Sequence, residues 1–219
     1  MLVAPLAAPS VRTARAHDKK GTAMLKRLAL VAGALFFGWK YLKPVVLRPA
    51  LPPGAFMLFD GSSLVDWELE GNANWTLSDG IVQATSGSGY LVSRNSYYHF
   101  ELRGEFWIEA NSNSGILIRA LERNNISESG AYEVNFNDSH PDPGYGTGAI
   151  VGLAQVSVPV SAAGRWNSFD IQAKGRDLKV FINGVQTAAA TDDRYPRGYI
   201  ALQRHAGTVK FRNIHIRPL

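Results

Sequence analysis

From about Ala55 onward the chain is a succession of short runs that alternate apolar and polar residues, separated by Gly, Asn, Asp and Pro. The runs are Gly80 to Ala84, Phe100 to Ile108, Asn113 to Ala120, Tyr132 to Asn137, Phe169 to Ala173, Leu178 to Ile182, Tyr199 to Gln203 and Val209 to Ile216. Alternation with period two is the mark of a strand with one face buried, because successive side chains leave opposite sides of the backbone. No window carries a sustained 3.6-residue apolar period, which excludes a helical core. Asn183-Gly184, between Leu178–Ile182 and Val185-Gln186-Thr187, predicts a tight hairpin, since a type I′ turn needs positive φ at both central residues. Regularly spaced strands with turn chemistry predict an all-β fold, a two-sheet antiparallel sandwich of jelly-roll type. The roughly 165 residues available are enough to bury a two-sheet core.

The alternation also sorts the polar residues. In Asn113–Arg119, Ile116 and Ile118 share one face and Arg119 lies on the other; in Tyr132–Asp138, Val134 and Phe136 oppose Glu133, Asn135 and Asn137. Phe100, Leu102 and Phe106 oppose Glu101, Arg103 and Glu105, while Ile200 and Leu202 oppose Gln203 and His205. If these strands share a sheet, its outer face collects Glu101, Arg103, Glu105, Arg119, Glu133, Asn135, Gln203 and His205. Amides, carboxylates and guanidinium groups hydrogen-bond hydroxyls, so such a face suits a carbohydrate. Trp107 and Tyr145, the latter in the Gly/Pro-rich loop 141–148, are candidates for stacking on a sugar. Trp67, Trp75, Trp166, Phe169 and Phe211 read as core or sheet-edge packing.

Charge is unevenly spread. Residues 1–50 hold nine Lys/Arg and one Asp, whereas residues 51–219 hold fourteen Lys/Arg against seventeen Asp/Glu. The folded part is therefore mildly acidic, which argues against nucleic-acid binding. The absence of cysteine excludes disulfides, thiolate metal sites and a Cys nucleophile. Lys26-Arg27 precede an apolar run from Leu28 to Trp39, followed by Lys40 and Lys43, the pattern of an export signal or N-terminal anchor helix. The run makes a helix of about 18 Å against about 30 Å of hydrocarbon, and reaches further if its flanking lysines snorkel. The expected organisation is a disordered arm or mis-annotated start over 1–23, a membrane anchor or signal over 24–43, a Pro-rich linker over 44–54 and the sandwich over 55–219. The domain is then expected on the outer side of a bacterial membrane.

Common catalytic signatures are missing: no Gly-x-Ser-x-Gly elbow, P-loop, His-Glu-x-x-His or dinucleotide fingerprint. Glu133 to Asp138 carries one outward carboxylate where laminarinase-type hydrolases carry two on one face, so a retaining pair about 5 Å apart is disfavoured there. Asp138-Ser139-His140-Pro141-Asp142 has the residue types of a metal or triad fragment, but the surrounding Pro and Gly favour a loop with Asp as turn former. No metal or cofactor is expected.

Several motifs occur in an order that resembles one family, the 3-keto-disaccharide hydrolases. They are Leu58-Phe59-Asp60-Gly61-Ser62-Ser63-Leu64 with Trp67, Asn113-Ser114-Gly115-Ile116 with Arg119, Tyr132-Glu133-Val134 with Asp138, and Thr147-Gly148-Ala149-Ile150. Trp166-Asn167, Asn183-Gly184, Ile200-Ala201-Leu202-Gln203 with His205, and Phe211-Arg212-Asn213-Ile214 complete the set. Asn135 stands where the family pattern has Gln, and Val151 where it has Tyr. The resemblance implies a concanavalin-like jelly roll that acts on sugars oxidised at C3. It implies Glu133 or His205 as base, Arg119 as stabiliser of an enolate, and Asp138 or the other of the first pair as acid for the leaving group. Gln203 and Asn135 would hold hydroxyls, with Glu101, Arg103, Glu105, Trp107 and Tyr145 as further sugar contacts. The rival readings are a non-catalytic carbohydrate-binding or cell-surface module on the same fold, and a tethered structural domain with no ligand.

Overall fold

The computed structural model describes residues 50–219. The expected arm, the anchor helix and most of the linker lie outside these residues. Among the described residues no helix is long and apolar enough to cross a membrane.

The described residues form thirteen strands: β1 (Phe56–Phe59), β2 (Trp67–Gly71), β3 (Thr76–Ser78), β4 (Ile81–Ala84), β5 (Gly89–Ser93), β6 (Phe100–Ile108), β7 (Asn113–Ala120), β8 (Tyr132–Phe136), β9 (Trp166–Lys174), β10 (Asp177–Ile182), β11 (Val185–Thr191), β12 (Tyr199–Ala206) and β13 (Val209–Pro218). They build two antiparallel sheets. One runs β11-β10-β9-β6-β13-β4-β3, with β1 also paired to β13; the other runs β2-β5-β12-β7-β8. The Asn183-Gly184 hairpin is present, with φ of 52° and 79°, and closes β10 on β11.

The core lies between the sheets and is filled by the inward residues of both. Phe106 of β6 stacks on Phe136 of β8 with centroids 3.8 Å apart and rings 4° from parallel, and Phe169 and Phe211 close around Phe136. Trp67 is buried and donates its indole N–H to Leu58 O at 3.0 Å, which ties β2 to β1 across the sandwich. A second apolar cluster sits on the outer face of the five-stranded sheet. There Ile126 and Ala131, from the β7–β8 connection, cover Val92, Leu117 and Ala201. That connection therefore roofs one half of the outer face.

Tyr132 locks β8 to the segment before β12. Its hydroxyl donates to Asp192 Oδ1 at 2.6 Å and accepts the Tyr195 N–H at 3.1 Å. Burial, then the hydrogen bond to the Asp192 carboxylate, push the Tyr132 phenol up to about 12. Burial would raise the Asp192 carboxyl, but hydrogen bonds from Arg194 and Tyr132 outweigh it and hold the group down at about 2. A raised phenol stabilises the fold below its unfolded value near pH 10, and that contribution is lost as the pH climbs to about 12. A depressed carboxylate contributes above about pH 4 and loses its contribution as the pH falls to about 2. Tyr132→Phe is expected to cost about 1 kcal/mol at neutral pH. It should also flatten the alkaline limb of a plot of unfolding midpoint against pH; a limb as steep as the wild type's would show that Tyr132 does not carry it.

Candidate active site

The register of the five-stranded sheet builds the site. Gln203 of β12 pairs with Gly115 of β7, and Gly115 pairs with Asn135 of β8. The inward set Leu202, Ile116 and Val134 is in the core, so Gln203, Gly115 and Asn135 all face outward. Two amide side chains thus flank a residue without one, their backbones about 10 Å apart at two strand spacings. Glu133 lies on the same face, opposite Leu117. A Cβ built on Gly115 would stand 3.2 Å from Glu133 Oε1 and 2.7 Å from Val134 O. The glycine therefore makes room for the carboxylate to lean over the gap between the amides.

This floor is recessed: Glu133 is 6% exposed, Asn135 3% and Gln203 4%. Asn135 Nδ2 donates to Tyr145 O at 2.6 Å, which fixes Asn135 Oδ1 as the free acceptor. Among the described residues neither Asn135 Oδ1 nor Gln203 Oε1 has a hydrogen-bond partner. Buried carbonyl oxygens without donors cost about 1–3 kcal/mol each, so the pair is a place where a ligand hydroxyl gains more than it would in water. The Pro143–Tyr145 turn, capped by Asp142 Oδ1 on the Gly144 N–H, holds Tyr145 beside this floor, and Tyr145 meets His140 edge to face at 6.3 Å.

Other expected members fall elsewhere. Arg119 is fully buried, and its guanidinium donates to Tyr98 O at 2.8 Å, Gly175 O at 3.0 Å and Tyr195 O at 3.3 Å. The cause is a β-bulge. Tyr199 pairs with Ala120 and Ala201 with Leu117, leaving two β7 residues against one on β12. Arg119 adopts a φ of 54°, which breaks the alternation and turns it away from the outer face of the sheet. A second shift, between Arg204 and Ala206, makes His205 the extra residue of β12; it is exposed, two positions past Gln203. Asp138 lies beyond the end of β8 and is spent on structure. Its carboxylate accepts from Thr147 Oγ1 at 2.6 Å and from the Ala162 and Ala163 N–H groups at 2.7 and 2.9 Å.

Glu101, Arg103, Glu105 and Trp107 do not share this sheet. They lie on β6, between β9 and β13, so they face out from the opposite side of the sandwich. There they form a ladder: Glu101, 4% exposed, pairs with Arg103 at 2.6 Å and Arg217 at 2.8 Å, Arg103 pairs with Asp170 at 2.9 Å, and Arg212 pairs with Glu105. Desolvation raises the Asp170 carboxyl despite Arg103. Trp107 lies under Lys210, and Trp166 under Arg212, at 4.5 and 4.0 Å. Period-two alternation gives the face of each strand within its own sheet, but not which sheet the strand joins.

Two residues escaped the sequence reading. Register carries the row past Gln203 to Tyr90 of β5 and then Glu70 of β2. The alternation in Trp67-Glu68-Leu69-Glu70 was the available signal. Among the described residues no group of three or more His, Cys, Asp and Glu converges as a metal cage.

An antiparallel sandwich that presents a recessed carboxylate among amides has the donors and acceptors that sugar hydroxyls need. Residues 54–217 match the 3-keto-alpha-glucoside-1,2-lyase-like domain, and the chain belongs to that family. A 3-keto-disaccharide hydrolase of Bacteroides thetaiotaomicron is 25% identical over 233 aligned positions, covering 78% of this chain and 80% of the relative. A Parabacteroides distasonis structure classed as a glycosyl hydrolase superposes with a TM-score of 0.63 at 23% identity, covering 75% of this chain and 99% of that one. The carbohydrate-binding module CBM66 of Bacillus subtilis shares the fold at a TM-score of 0.54 and 17% identity, covering 68% and 93% of the two chains.

Proposed function

We infer that the chain cleaves 3-keto-glycosides or 3-keto-disaccharides, by elimination followed by hydration. The observation that carries this reading is the Glu133 carboxylate leaning over Gly115 between Asn135 and Gln203. A ketone at C3 acidifies the proton on C2, and a base in contact with that proton can take it. The electron pair becomes an enolate, which reforms the ketone as the bond from C1 to the glycosidic oxygen breaks, leaving a C1–C2 double bond. The departing oxygen takes a proton. Water then adds its oxygen to C1 and a proton to C2, so the sum is hydrolysis. Glu133 is the base of this scheme. His205, exposed two residues past Gln203, is the acid that this scheme assigns to the leaving oxygen. With Arg119 inside the fold, the enolate oxygen is left to amide N–H donors such as that of Gln203.

The second reading, a binding module without chemistry, draws on the same acceptor-rich floor, which suits sugar hydroxyls whether or not a bond breaks. The test is incubation of the full-length chain with 3-keto-disaccharides and 3-keto-glucosides, with released sugar followed by chromatography. Release of both halves is expected. Binding of these sugars with no release under any condition would favour the module.

A further inference from the structure

The outward row of the five-stranded sheet continues beyond the groups used so far. From Asn135 it crosses Gly115 and Gln203, then reaches Tyr90 on β5 and Glu70 on β2. Four strand spacings make this run about 19 Å long at the backbone. The direction of β2 is fixed on both sides. Trp67 is buried in the core, and Glu68, one residue on, reaches the outer face to pair with Arg94 at 2.7 Å and Arg123 at 2.9 Å. Glu70 therefore points outward as well. Tyr90 packs against the outer apolar cluster of Val92, Leu117 and Ala201 and is half-buried. A single pyranose over Gly115, within reach of Glu133 and with its anomeric carbon towards β12, would leave Gln203, Tyr90 and Glu70 beside whatever is bonded to that carbon.

We propose that Tyr90 and Glu70 form a second sugar subsite, which receives the leaving half of a disaccharide, with Gln203 at the junction between the two halves. This rests on the 3-keto-glycoside reading above. An aromatic ring next to a carboxyl group matches a pyranose, whose C–H groups pack on the ring while its hydroxyls reach the acid. Burial holds the Glu70 carboxyl above the usual carboxylate range, in keeping with a group set back from bulk water. Among the described residues the nearby cations are engaged elsewhere: Arg94 and Arg123 on Glu68, and Arg204 on Gly207 O at 2.9 Å and Thr85 O at 3.2 Å. The subsite accordingly suits a neutral sugar and disfavours an acidic one. Its centre is Gln203, whose buried Oε1 lacks a partner among the described residues.

The experiment compares the full-length wild type with Tyr90→Ala and Glu70→Gln. The readout is the ratio of kcat/KM for a 3-keto-diglucoside to that for methyl 3-keto-glucoside, in which the leaving group is too small to reach β5. The ratio is expected to fall roughly tenfold to a hundredfold in Tyr90→Ala, and about threefold to tenfold in Glu70→Gln. An unchanged ratio in both variants overturns the subsite. Calorimetric titration with the unoxidised diglucoside and with methyl glucoside keeps the proposal separate from the chemistry. The wild type should bind the diglucoside at least about tenfold tighter, and Tyr90→Ala should erase that gain. If no 3-keto sugar is cleaved but the gain exists and is erased, the reaction is wrong and the subsite stands. If 3-keto sugars are cleaved while the wild type shows no gain, the subsite is wrong and the reaction stands.

Discussion

Glu133→Gln is expected to lower turnover of a 3-keto-glycoside by about 10²–10⁴-fold, the range that a positioned general base supplies. The substitution keeps the shape and hydrogen-bonding reach of the side chain but removes its capacity to accept the C2 proton. Because the residue faces outward and its neighbour Gly115 leaves space above it, the fold should tolerate the amide, and the unfolding midpoint should stay within a few degrees of the wild type. KM should change little, since hydroxyl contacts through Asn135 and Gln203 persist. Proton exchange adds a second readout: wild type in deuterated water should exchange the C2 hydrogen of an unreacted 3-keto substrate faster than the variant does. Wild-type turnover in Glu133→Gln would remove Glu133 from the mechanism.

Arg119→Met is expected to act on stability. The guanidinium is fully buried and serves carbonyls of three segments that are distant in sequence, at Tyr98, Gly175 and Tyr195. Burial presses its pKa below the usual arginine value. Deleting the head group removes the donor from three partly buried carbonyls and leaves a hole where a fully buried side chain was, and a total loss of roughly 3 kcal/mol is anticipated in urea unfolding. Such a loss is a large part of the stability of an ordinary domain. An Arg119→Met protein of unchanged stability but sharply reduced kcat would instead restore the enolate-stabilising role read from the sequence.

The contrast between these two residues marks how far the sequence could be read. Period two was enough to find β6, β7, β10 and β13 close to their ends, and it put Glu133 and Asn135 outward on β8 correctly. It failed at Arg119 because a bulge adds one residue, and one residue reverses the face of everything at that point. It could not assign β6 to a sheet, since pairing between strands far apart in sequence leaves no local trace. Glu101 and Arg103 therefore seemed to belong with Glu133 until the topology separated them. β5 was overlooked for another reason. Its outward residue Val92 is apolar and buried in the cluster that the β7–β8 connection covers, so Gly89-Tyr90-Leu91-Val92-Ser93 shows no clean alternation. The strands least legible in the sequence are thus the ones that extend the candidate cleft.

The two outer surfaces of the sandwich also differ in chemical reactivity. Residues 50–219 contain three lysines, Lys174, Lys179 and Lys210, and all belong to strands of the eight-stranded sheet. Alternation turns each away from the core, because Ala173, Val180 and Phe211 next to them are buried. An amine-directed resin or dye would therefore attach this domain by its reverse side and hold Glu133, Gln203 and Tyr90 towards the liquid. Immobilisation of residues 50–219 through these amines should orient the domain with its candidate sugar face accessible, with no engineered tag required.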